Sequence, residues 1–215
     1  MVGFTMVLPL TMNAVLAGSS PNGPVPNSVS FALSGIIQSI TILVPTLYLM
    51  HRSTEGIGVF GWKKLSLVSD VAGGLALGCV ALLAALITDA ALSNIGLEPN
   101  HSALEELHIA AKAGGLPCIL TIAFLILNSF SEEMVMRAFV MLRLKQLFRS
   151  TAVAVIVSSL FFAGYHIYQG VGGAISVLIT GLIFGGFYIW QARVVPLIIA
   201  HTFMNLVLMF TWIGN

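Results

Sequence analysis

Long apolar runs separated by short polar breaks dominate the chain. Runs over residues 2–18, 28–50, 70–92, 116–142, 151–168, 172–190 and 194–213 each come close to the roughly 20 residues that carry a helix across a bilayer core. The pattern predicts an all-α, polytopic transmembrane bundle of about seven spans. The first break, residues 19–27, is rich in Pro, Gly, Ser and Asn and marks a turn. The second, residues 51–65, carries Arg52, Lys63 and Lys64. The third, residues 94–115, is the longest. Within it Ser102 and Glu105 have the spacing of a capping box, which predicts a short amphipathic helix at the interface.

Composition removes the water-soluble alternatives. The 215 residues are 58% hydrophobic and 8% charged, with a mean hydropathy of +1.00, whereas soluble domains are about a quarter charged. The net charge of +1 offers no basic face for nucleic acid. Cys79 and Cys118 both fall in apolar runs and read as small hydrophobes. Residues 1–18 lack the basic segment of a cleaved signal peptide, so a retained first span is expected, kinked at Pro9. With no internal repeat or low-complexity tract, residues 1–215 read as a single integral membrane domain.

Charge also orients the bundle. Arg52, Lys63, Lys64, Arg143, Lys145, Arg149 and Arg193 fall in alternate breaks, and only Lys112 lies in the others. The positive-inside rule then puts the N-terminus in the cytoplasm and the C-terminus outside a cell membrane crossed several times. Two glycine pairs at i, i+4, Gly74 with Gly78 and Gly181 with Gly185, predict close helix contacts and no chemistry.

Chemistry concentrates in the fourth span. Asn128, Ser131, Glu132, Glu133 and Arg137 lie within a strongly apolar helix, where one central charge costs roughly 2.5 to 3.5 kcal/mol. Glu133 and Arg137 are i, i+4 and can pair on one face. Glu132 points about 100° away and has no basic partner within its reach along the helix. An unpaired carboxyl suits general acid–base work, so Glu132 is assigned to catalysis and Glu133 with Arg137 to support. Later spans add His166, one turn after Phe162, and His201, one turn before Asn205. A His and an Asn on one face can donate to a single oxygen, as an oxyanion hole requires. In the long break, His101, Glu105 and His108 share a helical face, which reads as a polar surface meeting water.

Three motifs in order, Glu132-Glu133-x-x-x-Arg137, Phe162-x-x-x-His166 and His201-x-x-x-Asn205, resemble those of the CAAX-protease and bacteriocin-processing family, which includes abortive-infection-type membrane proteases. The resemblance covers about residues 116–213. It implies a glutamate-dependent intramembrane endopeptidase without a cofactor or metal. Glu132 and His166 would activate a water for attack on a peptide carbonyl, His201 and Asn205 would hold the oxyanion, and Glu133 with Arg137 would brace the helix. It also implies access from the cytoplasmic side and a membrane-associated peptide or protein as substrate. The short loops look bacterial, where protein prenylation is not expected, so a leader sequence or signalling precursor suits better than a prenylated C-terminus.

Two other classes stay open on the residues alone. Glu132, His166 and His201 are zinc ligands by type, which would make the same site a zinc-dependent protease. The same groups could serve a proton-coupled carrier or a non-catalytic scaffold or immunity protein. No His-Glu-x-x-His or Gly-x-Ser-x-Gly occurs, and Asp70 and Asp89 lack a presenilin-type context. One difficulty arises from depth. These boundaries put Glu132 near mid-membrane, His201 roughly 10 Å from the cytoplasmic side at 1.5 Å per residue, and His166 towards the opposite face. Convergence then requires a tilted or deep-starting fifth helix, or residues 143–150 lying along the interface.

Overall fold

The structure, a computed structural model, describes residues 28–211. The first expected span, residues 2–18, lies outside them. Among the described residues every regular element is helical. Seven helices follow one another: α1 (Ser28–Arg52), α2 (Leu67–Ser93), α3 (Ser102–Ala113), α4 (Gly115–Phe148), α5 (Thr151–Tyr165), α6 (Gly170–Gln191) and α7 (Val195–Thr211). Helices α1, α2, α4 and the segment Ile167–Gln191 are long and apolar enough to cross a membrane, and α5 and α7 are shorter apolar helices. The chain is a multi-pass membrane protein. Its outward faces carry exposed Leu, Ile and Val, among them Ile37, Val44, Val80 and Ile87, as lipid-facing helices require.

Two boundaries depart from the sequence reading. The fourth span does not stop at 142. Helix α4 runs to Phe148, and Arg149 closes it in the left-handed conformation with its N–H on the Lys145 carbonyl. Thirty-four residues make about 51 Å of helix at ~1.5 Å per residue, well beyond a hydrocarbon core of about 30 Å. The basic stretch 143–149 is therefore largely the projecting end of a helix, with Lys145, Leu147 and Phe148 exposed, and not an interfacial loop. The fifth span stops at Tyr165 and not at 168, because His166 caps it and a 3-10 turn follows at Ile167–Gln169. Gly170, at φ 77°, supplies the left-handed turn that starts α6.

The short helix α3 forms where expected, with a different cap. His101 is the residue before its first turn and makes no side-chain cap, while the Ser102 N–H donates to Asn100 Oδ1 at 3.0 Å. Asn100 performs the role that the Ser102–Glu105 spacing suggested for Ser102. Leu107 and Ala110 bury the inner face of α3 against the start of α4 and the end of α7. His108 reaches the Met209 carbonyl at 3.1 Å through Nδ1.

Both glycine pairs mark close crossings. A Cβ on Gly74 would meet the Pro196 carbonyl oxygen at 2.8 Å, and one on Gly78 would meet Phe203 at 2.8 Å and the Ala200 oxygen at 3.0 Å. These contacts bring α2 against α7 beside His201. Gly181 and Gly185 admit Ser159 and Val155 of α5 at 3.2 and 3.0 Å. Cys79 and Cys118 are free thiols.

The charged breaks gather at one end of the bundle. Arg143 pairs with Glu55, Lys63 donates to the Gln191 carbonyl, and Arg193 grips Asp70 with two bonds of 2.6 Å and also reaches the Lys64 carbonyl. Arg143 beside Glu55 holds that carboxyl below its usual range. Helix α3 and Lys112 occupy the other end.

Candidate active site

The chain solves the depth difficulty by symmetry about one turn. Glu132 stands seventeen residues before Arg149 and His166 seventeen after it. Because α4 continues unbroken to Phe148, the α4–α5 hairpin brings both residues back to one level, about 25 Å from the turn at ~1.5 Å per residue. The short α5 ends where Glu132 lies.

Immediately after the two glutamates the helix widens. Residues Met134–Val140 form a π-helical segment, and the Met141 N–H reaches five residues back to the Met136 carbonyl. Such segments cluster at functional sites. Every residue from Ser131 to Met141 is buried, Glu133 fully and Arg137 to 2%. Arg137 lies in the π segment with Nε 3.3 Å from Glu133 Oε2 and Nη1 3.3 Å from Oε1. Its guanidinium carbon sits 4.5 Å from the Phe162 ring centroid and 5.6 Å from that of Phe184. The expected i, i+4 pair is therefore present, and two aromatic faces share its cation.

Glu133 has a second partner that the sequence reading did not provide. Its Oε1 lies 2.9 Å from His201 Nδ1, across sixty-eight residues of chain. A carboxylate can only accept, so His201 carries its proton on Nδ1 and turns Nε2 away from Glu133. That Nε2 lies 3.6 Å from Glu132 Oε2. His166 shows the same division. Its Nδ1 is 2.9 Å from the Phe162 carbonyl, another obligate acceptor, and its Nε2 faces Glu132 Oε1 at 3.9 Å. The Phe162 ring also packs on both imidazoles, with centroids 4.6 Å from His166 and 6.2 Å from His201. The phenylalanine of the second motif thus fixes one histidine by its backbone and touches both by its ring.

Glu132 is 4% exposed, and its Oε2 has no hydrogen-bond partner although two imidazoles face the carboxylate. The helical reading that left Glu132 unpaired and gave Glu133 to Arg137 agrees with these distances. Asn205 lies one turn beyond His201, and its Nδ2 donates to Ser129 Oγ at 3.3 Å. Ser129 in turn donates to the Leu125 carbonyl at 2.8 Å. Glu132, His166, His201 and Asn205 line a single cavity of about 350 Å³. It extends from the glutamate towards α3, where Asp89, Asn100, His101 and Gln169 form its other end. Among the described residues no group of three His, Cys, Asp or Glu side chains has the arrangement of a metal site, and this includes His101, Glu105 and His108.

The local sequence explains why these groups stay buried. Among the described residues, the ionisable side chains around Glu132 meet an acceptor, a counter-charge or an aromatic face, while one oxygen of Glu132, one of Asp89 and the remaining valences of the Glu133–Arg137 pair have no hydrogen-bond partner. Breaking such a pair leaves a lone charge in a dry site, which costs about 3 to 5 kcal/mol. The sequence missed the Glu133–His201 and Ser129–Asn205 contacts because both join helices distant in the chain. A second acidic residue beside the first was the one available signal.

No curated protein and no solved structure matches the chain. Residues 114–207 match the family model described as type II CAAX prenyl endopeptidase Rce1-like. This stretch contains all three motifs and every residue around Glu132 described above. Over these residues, somewhat under half of the chain, the protein is similar to the CAAX-protease family of membrane endopeptidases.

Proposed function

We propose that this cavity hydrolyses a peptide bond in a membrane-associated peptide or protein, with water as the nucleophile. The observation that carries the reading is Glu132: a buried carboxylate with an unpartnered oxygen, faced by two imidazole Nε2 atoms at 3.6 and 3.9 Å.

Water held between Glu132 and His166 loses a proton as its oxygen attacks the substrate carbonyl carbon. The Phe162 carbonyl keeps the proton of neutral His166 on Nδ1, so its Nε2 lone pair is free on the cavity side. The carbonyl π pair moves to oxygen. That oxyanion needs donors, and Asn205 Nδ2 is one. His201 is the other when its Nε2 also carries a proton, and Glu133 at Nδ1 is the counter-charge for that imidazolium. Collapse of the tetrahedral species breaks the C–N bond, and the amine leaves with the proton taken from water. The new carboxylic acid gives its remaining proton to the amine, so the products are a carboxylate and an ammonium, with no covalent enzyme intermediate.

Access is the point on which charge and family resemblance part. The resemblance implies entry from the cytoplasm. The cavity instead extends towards α3, at the end opposite Arg52, Lys63, Arg143 and Arg193. The positive-inside rule assigns that end to the outside, with the C-terminus there. This favours entry from the outer leaflet, beneath α3. The apolar walls suit a hydrophobic peptide segment or a lipid-like chain.

Incubating the purified protein in liposomes with apolar peptides in heavy-oxygen water tests the reaction. One heavy oxygen in each new carboxyl end supports it. An adduct between protein and substrate contradicts it.

A further inference from the structure

The reaction above leaves one cavity carboxylate without a task. Asp89 lies on α2, four residues before the helix ends at Ser93, in a stretch otherwise apolar from Val71 to Ala91 apart from Thr88. It lines the same cavity as Glu132 at the end towards α3. Its Oδ1 is buried and has no hydrogen-bond partner. Ser176 of α6 lies beside the carboxylate, and its Oγ is 3.5 Å from the Ala85 carbonyl one turn earlier on α2. His101 at the start of α3 lines the same end of the cavity and is not a permanent cation. An acid placed within a membrane helix and facing a cavity is costly unless something positive meets it.

We propose that Asp89 is a cation-recognition subsite, which takes a basic side chain or free amino group of the bound peptide. Its position sets the spacing. Ser176 and Phe184 lie eight residues apart on α6 and both line the cavity, a separation of about 12 Å at ~1.5 Å per residue. Phe184 touches His201, with ring centroids 5.9 Å apart. Extended peptide advances about 3.3 to 3.6 Å per residue, so a free amino group at Asp89 lies about three to four residues from the reacting bond. A lysine side chain adds its own reach and occupies a nearer position. The same carboxylate repels a peptide that would place an acidic group there. The position of the cut rests on the hydrolytic reading. The cation preference does not.

Binding separates the two. Three N-acetylated, C-amidated apolar octapeptides, identical except for one Lys, norleucine or Glu, are titrated against Glu132→Gln protein in detergent micelles. The Lys peptide is expected to bind about tenfold or more tighter than the norleucine peptide, and the Glu peptide weakest, as for a hydrogen bond to a buried charge. Adding Asp89→Asn brings the Lys and norleucine affinities together. Adding Asp89→Lys favours the Glu peptide. Equal affinities of the three peptides for Glu132→Gln protein overturn the subsite, whether or not the Asp89 variants fold. Lys preference retained in the Asp89→Asn background also overturns it. Wild-type protein that binds the Lys peptide by this preference and never cuts it contradicts the hydrolytic reading alone. Cleavage with no preference contradicts the subsite alone.

Discussion

Glu133 and His201 meet at 2.9 Å, and this one contact joins the ion pair of α4 to the imidazole of α7. Glu133 therefore has two partners, Arg137 on its own helix and His201 across the bundle. Its two connections separate by mutation. Glu133→Gln leaves Arg137 buried without a counter-charge and is expected to lower stability by about 3 to 5 kcal/mol. Replacing the pair together, Glu133→Leu with Arg137→Met, removes both buried charges and restores folded yield in detergent. Activity stays low, because His201 has lost its counter-charge. Full activity in the double variant would mean that Glu133 serves the fold alone.

Glu132→Gln and His166→Ala are expected to fold with wild-type yield and to lose cleavage by about a hundredfold to ten-thousandfold, the range for a missing general base. Asn205→Ala removes one oxyanion donor and lowers kcat by about a hundredfold to a thousandfold, with KM little changed. A rise in KM with kcat intact would move Asn205 from the transition state to ground-state binding.

The turned-in Nε2 atoms of His166 and His201, each with Nδ1 on an acceptor, are also how metal-binding histidines are held. Metal therefore needs a direct test. Prolonged chelator treatment is expected to leave cleavage unchanged, and elemental analysis of active protein to show no stoichiometric zinc. Loss of activity with chelator and recovery with zinc would establish the zinc protease instead.

Packing at a distance controls the site. Gly78 meets Ala200 and Phe203, the neighbours of His201. Gly78→Leu forces α2 away from α7, at a cost of about 1 to 3 kcal/mol, and displaces the imidazole enough to lower cleavage at least about tenfold. Gly186→Ala, with open space around the new methyl group, is expected to change stability by less than about 0.5 kcal/mol. Thermal unfolding in detergent, read beside activity, checks both.

The candidate site residues Glu132, Arg137, His166 and His201 are legible in the sequence because they stand out in apolar helices. Helical spacing alone separated Glu133, facing Arg137, from Glu132, which has no basic partner along its own helix. The glycine pairs were equally legible as close crossings. The depth of His166 was not. Arg143, Lys145 and Arg149 resemble a loop in composition, and only the three-dimensional structure shows that most of this stretch is the end of a long helix, which equalises the distances of Glu132 and His166 from the turn. The cap of α3 was misread for a local reason: Asn100 competes with Ser102 for the same end of the helix. Contacts such as Ser129 with Asn205 belong to the packing of distant helices, and no spacing along the chain encodes them.

In the proposed reaction Glu132 drives peptide hydrolysis in the membrane. Its most direct test compares, by mass spectrometry, the peptide termini of membranes holding wild-type protein with those holding Glu132→Gln at equal abundance. New termini are expected with wild type that are missing with the variant. Identical termini in the two samples, with the biological activity of the protein intact in Glu132→Gln, would contradict that reaction.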